Sequence, residues 1–481
     1  MNRSAHHPLR RLKGAAALTS AALSLAFAVP AWADEDKDLD LLPPAVQEAA
    51  PTPKEPEAPA DPRKRIYVES ATTSYEYRGG LAVPPPPTPQ PDWQQRLSLN
   101  SHWEWQPWSS LRLVESSRFN VYWIDGVDWG TQQSYRLDVR EAYASLRVFD
   151  GGYLDAGRIN LKSGVAFGFN PTDFFKTRAV VDRTSQDPAD LRENRLGTGM
   201  VRAQSIWSGG SVTLAIAPKA AEPSAIYAAD EVPSFYPMWD RTNAQQRTLL
   251  KFNVDLAQDF SPEALLYREG DRDKVGLNLT YGLGKSVVLY TEWAGGKRLR
   301  LADEALAFGK LTGTFPDNAA QVIPGNHKEQ FYRDAAVGGT YTSEYKVTVV
   351  LEYDYHEAGF TKDDWRNWFD KGKAFPGFLP VIGELWYIRS YAQDQLEPVS
   401  QETAMLRVTW SEAFVRDLEL TGLVQNSLSD GSNLVQLSGT YNLSDHWTIG
   451  AIGLLLTGGK ETERGSLPTR SSFVLKVDRY F

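Results

Sequence analysis

Lys346-Val347-Thr348-Val349-Val350-Leu351-Glu352-Tyr353-Asp354-Tyr355-His356 is the stretch on which the fold turns. In an extended chain successive side chains point to opposite faces. Val347, Val349, Leu351, Tyr353 and Tyr355 therefore share one face, and Lys346, Thr348, Glu352, Asp354 and His356 the other. The same period of two recurs along the chain. Val275, Leu277, Leu279 and Tyr281 alternate with Lys274, Asn278 and Thr280; Leu406, Val408 and Trp410 alternate with Arg407, Thr409 and Ser411. Val435, Leu437, Gly439, Tyr441 and Leu443 alternate with Gln436, Ser438, Thr440 and Asn442. Such segments predict strands with one apolar and one polar face.

Length separates the two architectures that alternate in this way. Strands of a soluble sandwich average about 5–6 residues. These segments run near 10, the length of a tilted strand that crosses a bilayer. The connections divide as well. Short links at Tyr281 to Lys285, Thr342 to Tyr345 and Asn442 to His446 are interleaved with long polar ones at about Gly168 to Gly197, Ala220 to Gln246, Lys297 to Lys328 and Ala358 to Gly383. Short turns at one rim and long loops at the other are the pattern of an outer-membrane barrel. The expected fold class is thus all-β, a transmembrane antiparallel up-and-down β-barrel. Alternating the strand directions back from the C-terminus gives about 18 strands if Glu263 to Arg268 is a strand and Ile66 to Arg78 is the first. The count is 16 if that first segment is a plug or tail.

The flanks fit an exported chain. Arg3, Arg10, Arg11 and Lys13 precede a short apolar stretch, Ala15 to Val29, and Ala31-Trp32-Ala33 offers a small-x-small cleavage site. Residues 1–33 are read as a cleaved signal peptide. Residues 34–65, acidic and rich in Pro and Ala, are read as a disordered periplasmic leader; residues 66–481 form the barrel. A second proline cluster, Pro84 to Pro87 with Pro89 and Pro91, predicts a spacer or loop. At the other end Phe473, Leu475 and Val477 alternate towards a terminal Phe481, although Arg479 breaks the register. A terminal aromatic after an alternating strand is similar to the signal read by barrel-assembly machinery, which is an expected partner together with outer-membrane lipid.

Bulk composition narrows the functions. Formal net charge is −9, with a sequence pI of about 5.4, which argues against nucleic acid. Mean hydropathy is −0.40, and beyond residue 33 no apolar run reaches the length of a membrane helix. Fifteen Trp, 21 Tyr and 20 Phe suit a wall with two interfacial aromatic belts. There is no cysteine, so neither a thiol nucleophile nor a thiolate metal site exists. Outside the signal, His102, His327, His356 and His446 are scattered, and His356-Glu357 is followed by Phe360 where a zinc motif needs histidine. Gly284-Lys285-Ser286 resembles the end of a phosphate loop, but Leu279 stands where its first glycine belongs. No catalytic residue, cofactor or metal is expected.

The informative residues are those predicted to line the lumen. Arg136, Asp138, Arg140 and Glu141 lie on one strand, and Arg158 with Lys162 on the next. A basic charge facing lipid near the midplane costs about 2–4 kcal/mol, so these side chains are expected to point inward. There they either brace the wall as opposite charges or select among ions. The segment Gly168 to Gly197 adds Arg178, Arg183, Arg192, Glu193 and Arg195, and Arg202 follows it. It is a basic cluster in an acidic protein. Folded into the pore it would form an anion-favouring constriction; left outside, its Arg and Asp would pair with one another.

Three pieces of sequence carry a family resemblance: Arg140-Glu141-Ala142-Tyr143-Ala144-Ser145-Leu146, then Gly157-Arg158 with Gly164, then a Pro/Asp-containing loop closed by Glu193-Asn194-Arg195-Leu196. Over these roughly 70 residues the chain resembles proteobacterial outer-membrane barrels, including alginate-export-like porins. The resemblance implies a monomeric barrel of about 16 to 18 strands with an Arg-lined passage, and no substrate. Three functions stay open: a channel for small polar or anionic solutes, an exporter of an acidic polysaccharide, and an adhesive or structural barrel without transport.

Overall fold

The computed structural model describes residues 64–129, 134–226, 235–257, 259–325 and 327–481. The expected signal peptide and nearly all of the expected leader lie outside them. Eighteen strands follow: β1 (Lys64–Tyr77), β2 (Trp93–Trp108), β3 (Leu111–Ile124), β4 (Tyr135–Phe149), β5 (Gly152–Ile159) and β6 (Thr198–Trp207). Next come β7 (Gly210–Ala217), β8 (Arg247–Val254), β9 (Glu263–Glu269), β10 (Arg272–Leu283), β11 (Val287–Arg298) and β12 (Gln330–Thr342). The last six are β13 (Val347–His356), β14 (Glu402–Trp410), β15 (Leu418–Ser427), β16 (Asn433–Ser444), β17 (Trp447–Thr457) and β18 (Thr469–Tyr480). Each pairs antiparallel with its sequence neighbours, and β1 pairs with both β2 and β18, so the sheet closes. Of the two strand counts the chain adopts 18. The segment from Ile66 is a wall strand, beginning two residues earlier at Lys64.

The alternation read from sequence is the wall's inside and outside. Leu351 is 63% exposed and its neighbour Val350 1%; Leu437 is 66% exposed and Gln436 1%. Outward-facing Leu, Val, Tyr and Phe leave an apolar surface around the barrel that water would not tolerate over such an area. Connections divide between the rims as expected. At the rim that carries Lys64 and Phe481 the turns are 109–110, 150–151, 208–209, 255–262, 284–286, 343–346, 411–417 and 445–446. The opposite rim carries the long segments 160–197, 218–246, 299–329 and 357–401.

Among their described residues those long segments contain five helices: α1 (Pro188–Glu193), α2 (Trp239–Thr242), α3 (Leu301–Leu311), α4 (Lys362–Ala374) and α5 (Leu379–Gln395). Among the described residues no helix is long and apolar enough to cross a membrane. Thr361 and Asp364 form a capping box that starts α4, and its buried stripe is Trp365, Trp368 and Phe369. These rings pack with Leu301 and Ala305 of α3, Ile382, Leu385 and Ile388 of α5, and Val83. Fully burying a side chain of this size contributes about 1.5–3 kcal/mol, so the cluster is a core in its own right. Val83 shows that the proline-rich link 78–92 is a packed loop. Its prolines follow a residue anchored under the helices. Arg389 of α5 lies over the rings of Trp365, Trp368 and Trp386 and donates to Ser466 Oγ at 2.8 Å. The helices thereby join the link between β17 and β18.

Candidate functional site

After Ile159 the chain turns into the barrel, and Asn160 N donates to Glu141 Oε1 at 3.0 Å. The segment 160–197 then reaches the far wall. Glu292 of β11 accepts from the backbone amides of Val165, Ala166 and Thr172 at 2.9, 3.0 and 2.6 Å, and from Thr172 Oγ1 at 2.8 Å. Glu352 of β13 accepts from the amides of Phe167, Gly168 and Phe169 at 2.7, 2.7 and 3.1 Å, and from the Tyr290 hydroxyl at 2.7 Å. Two wall carboxylates thus hold six loop amides. Gly164 has φ +87°, and a Cβ on it would come within 2.7 Å of the Glu292 carboxylate. Only glycine permits that approach.

The next turn of the loop is apolar. Phe174 and Phe175 pack against inward-facing Met200, Ala215, Leu249, Leu265, Tyr267 and Ala294, with Phe174 stacked on Tyr267 at 4.5 Å. Along β6 to β9 the wall therefore carries apolar residues inside as well as outside. Strict alternation of apolar and polar does not hold there, because the loop covers the inner face. Farther on, Gln186 N donates to Gln436 Oε1 at 2.8 Å, and Arg407 Nε donates to Asp187 Oδ2 at 2.9 Å. Asp187 also caps α1 by accepting from Ala189 N. The loop is seated on β10 to β16 and inside the lumen.

The opposite wall presents cations. Adjacent strands β2, β3 and β4 carry Arg96, Arg118 and Arg136 on their inner faces. Asp182 of the loop accepts from Arg96 Nη1 at 2.5 Å and Arg118 Nη1 at 2.6 Å, while Val181 O accepts from Arg136 Nη2 at 2.9 Å. Burial pushes the Asp182 carboxyl up, but the two guanidiniums outweigh it and hold it well below the usual carboxylate range. Glu69 of β1 pairs with Arg96 and, at 3.1 Å, with Lys476 of β18. Sequence alone marks none of Glu69, Arg96, Arg118, Asp182, Glu292, Glu352 or Lys476 as a site residue. Their one legible signal is charge, at inward-facing strand positions for all but Asp182.

The expected site residues separate into four environments. Arg140, Glu141, Lys162 and Glu193, with Ser116 and Asn160, line a cavity of about 250 Å³. Arg140 and Glu141 are adjacent, so simple alternation would send them to opposite faces. A bulge resolves this: Glu141 lies opposite Ser116 and Val139 opposite Ser117, leaving Arg140 as the extra residue. Lys162 and Glu193 pair at 2.5 Å, whereas the Nε of Arg140 has no hydrogen-bond partner among the described residues. Arg136 with Asp138 (2.8 Å) and Arg202 with Asp155 (2.7 Å) are ion pairs on the wall.

Arg178, Arg192 and Arg195 are buried within the loop system. Arg195 pairs with Asp173 at 2.5 Å, Arg192 donates to Ser163 O at 3.1 Å, and Arg178 pairs with Asp394 of α5 at 2.9 Å. Arg183 donates to Gln393 O at 2.6 Å, so it too faces the helical cap. Arg158 departs from expectation. Its expected place is the lumen face, but neighbouring Ile159 takes the inward side in the cluster with Phe174. Arg158 instead lies over the Trp239 ring at 4.3 Å and donates to Gly197 O at 2.9 Å. The loop therefore enters the lumen, and its four arginines are all engaged: Arg195 and Arg192 within the loop, Arg178 and Arg183 with α5.

No protein family and no curated protein matches the chain. Solved structures that it resembles include OccD3 (OpdP) of Pseudomonas aeruginosa, at 11% identity over 87% of this chain and 91% of that one, TM-score 0.44. OccAB1 of Acinetobacter baumannii aligns at 9% identity over 87% and 96%, TM-score 0.49. OmpF of Salmonella typhi, in complex with daunomycin, aligns at 14% identity over 86% and 97%, TM-score 0.42. At TM-scores below 0.5 these likenesses carry no inference about solute or assembly. The narrower likeness to alginate-export-like porins finds no support among them. The chain itself is a closed antiparallel barrel of 18 strands with a loop anchored across its lumen.

Proposed function

We propose that this chain is an outer-membrane, porin-like channel through which small polar solutes diffuse, with anions favoured at its narrowest part. The carrying observation is Arg140: a guanidinium brought inward by a bulge, with an unpartnered Nε, lining the cavity beside Lys162. A carboxylate or other oxyanion that enters this cavity meets two cationic side chains. Glu141 and Glu193 line the same cavity, so the field there is mixed, and the preference for anions is one of degree. On this reading the rim with Lys64 and Phe481 is periplasmic and the helical cap extracellular. The apolar outer wall faces lipid.

The anchored loop bears on the other readings. A polymer exporter needs an open bore, and the hydrogen bonds holding 160–197 against both walls disfavour one. A purely adhesive barrel needs no cavity lined by cations inside. The test is planar-bilayer recording of the purified chain in a KCl gradient. A reversal potential favouring chloride, weakened in Arg140→Ala, is the expected result. A barrel that inserts yet passes no current ends the channel reading.

A further inference from the structure

Between its two ends the loop meets the β2–β4 wall at residues 181–184. Asp182 first turns back on its own backbone: its Oδ1 accepts from Thr184 N at 2.9 Å and from Thr184 Oγ1 at 2.6 Å. Aspartate favours such turns because its short side chain reaches the amide two residues on. The turn leaves Oδ2 to Arg96 Nη1 at 2.5 Å and Arg118 Nη1 at 2.6 Å. Thr184 Oγ1 also accepts from Arg96 Nη1 at 3.1 Å.

The wall side has the make-up of an oxyanion site. By register Arg96 lies opposite Tyr122 and Arg118 opposite Asn100, so the two arginines start four residues apart along the wall. Their long side chains nevertheless converge on one carboxylate oxygen, and a planar guanidinium matches a carboxylate. Donors are in reserve, because Arg96 Nε and Asn100 Nδ2 have no hydrogen-bond partner among the described residues. Negative charge is short as well. Arg96, Arg118 and Arg136 contact two wall carboxylates, Glu69 and Asp138, and Glu69 is shared with Lys476. Of these groups four are cations and two are anions, and the loop brings Asp182 to them. On the β11–β13 side the loop is held by main-chain amides. Here it is held by a carboxylate, the same group that a soluble anion carries.

We propose that Arg96 and Arg118 form a binding site for a small dicarboxylate, that Asp182 occupies this site as a tethered competitor, and that an anion entering it frees residues 181–184 from the wall. The site deepens the channel reading and rests on it, since the anion must reach the lumen. A tethered group competes at an effective concentration on the order of millimolar, so exchange needs free anion at about that level. A dicarboxylate has the advantage over chloride. It answers a shortfall of more than one charge and gives the guanidiniums a planar acceptor on each end.

Because the chain has no cysteine, Val181→Cys supplies a single thiol next to the contact. Val181 is half-buried against Leu196 and Met238, so its reaction with a water-soluble thiol reagent reads release of the segment. In the full chain in lipid nanodiscs, succinate should raise that rate about tenfold and saturably, and KCl of equal ionic strength should not. With Asp182→Asn added, the rate should be high without succinate. Titration calorimetry should show succinate binding about tenfold tighter in Asp182→Asn than in the parent, and no binding once Arg118→Gln is added. Heat-modifiable migration of each variant shows that the barrel has folded. Labelling of Val181→Cys that ignores succinate, or equal affinity in the parent and Asp182→Asn, overturns the proposal. Current in KCl from the same preparations tests the channel separately. Current that flows while succinate does nothing removes this site alone; a barrel without current ends the channel reading.

Discussion

The two walls that grip the segment 160–197 do so by opposite means. On the β11–β13 side, Glu292 and Glu352 hold backbone amides, and glycines at 164 and 168 let main chain and carboxylate touch. On the β2–β4 side, Arg96, Arg118 and Arg136 hold one aspartate and one carbonyl, and the cavity lined by Arg140 and Lys162 remains beside them. Amide–carboxylate contacts fix where the loop runs whatever its side chains are. Guanidinium contacts leave donors to spare and set the field that a solute meets. On the proposed reading, one wall positions the constriction and the other gives it a charge preference.

The largest effect should come from breaking the first wall. Glu292→Ala with Glu352→Ala strands six amides, four of them buried, at about 1–3 kcal/mol for each that finds no water. The loop should leave its seat, and single-channel conductance should rise several-fold; unchanged conductance would mean that the loop does not limit flow. Next in size is Arg195→Ala, which leaves Asp173 buried without its cation at a cost of about 3–5 kcal/mol. Denaturant unfolding should register that loss, with ion selectivity nearly unchanged because this pair is sealed within the loop.

Arg140→Ala with Lys162→Ala sharpens the contrast. Stability should change by less than in Arg195→Ala, while the chloride-over-potassium permeability ratio falls by a few-fold. If Arg192→Ala or Arg195→Ala alters the ratio more than this pair does, the division of labour is wrong.

The smallest effect is in pH. Burial pushes the Lys176 ammonium down to about 8 from an ordinary 10.5. Between those values the unfolded chain holds a proton that the folded chain lacks, so stability should climb as pH rises from about 8 to about 10.5. Below pH 8 both states are protonated and the cost of burying the charge is present in full. Subtracting the unfolding free energy of Lys176→Met from that of the parent isolates this slope, and a flat difference would show Lys176 to be solvated.

How much of this is legible beforehand follows from the range of each interaction. Lys346 to His356 declares a wall strand because alternation is local, and the division of loops between rims follows from strand lengths alone. The same locality misleads at Arg158, where a period-two reading chooses the lumen face although Ile159 faces inward and Trp239, from a loop about 80 residues away, covers the guanidinium. It is silent on Glu352, which reads as one more polar residue until Phe167 to Phe169, about 185 residues earlier, arrive at its oxygens. Arg140 and Glu141 share a face because a bulge inserts one residue. Bulges depend on the partner strand and leave no mark in the period.

By itself, then, the amino-acid sequence determined a strand-built wall, its two unlike rims and a charged segment long enough to enter the bore, since each of these depends on neighbouring residues. Tertiary structure decided which charges are neutralised in the loop and which face the open cavity. Those outcomes depend on groups that only closure of the barrel brings within hydrogen-bonding distance.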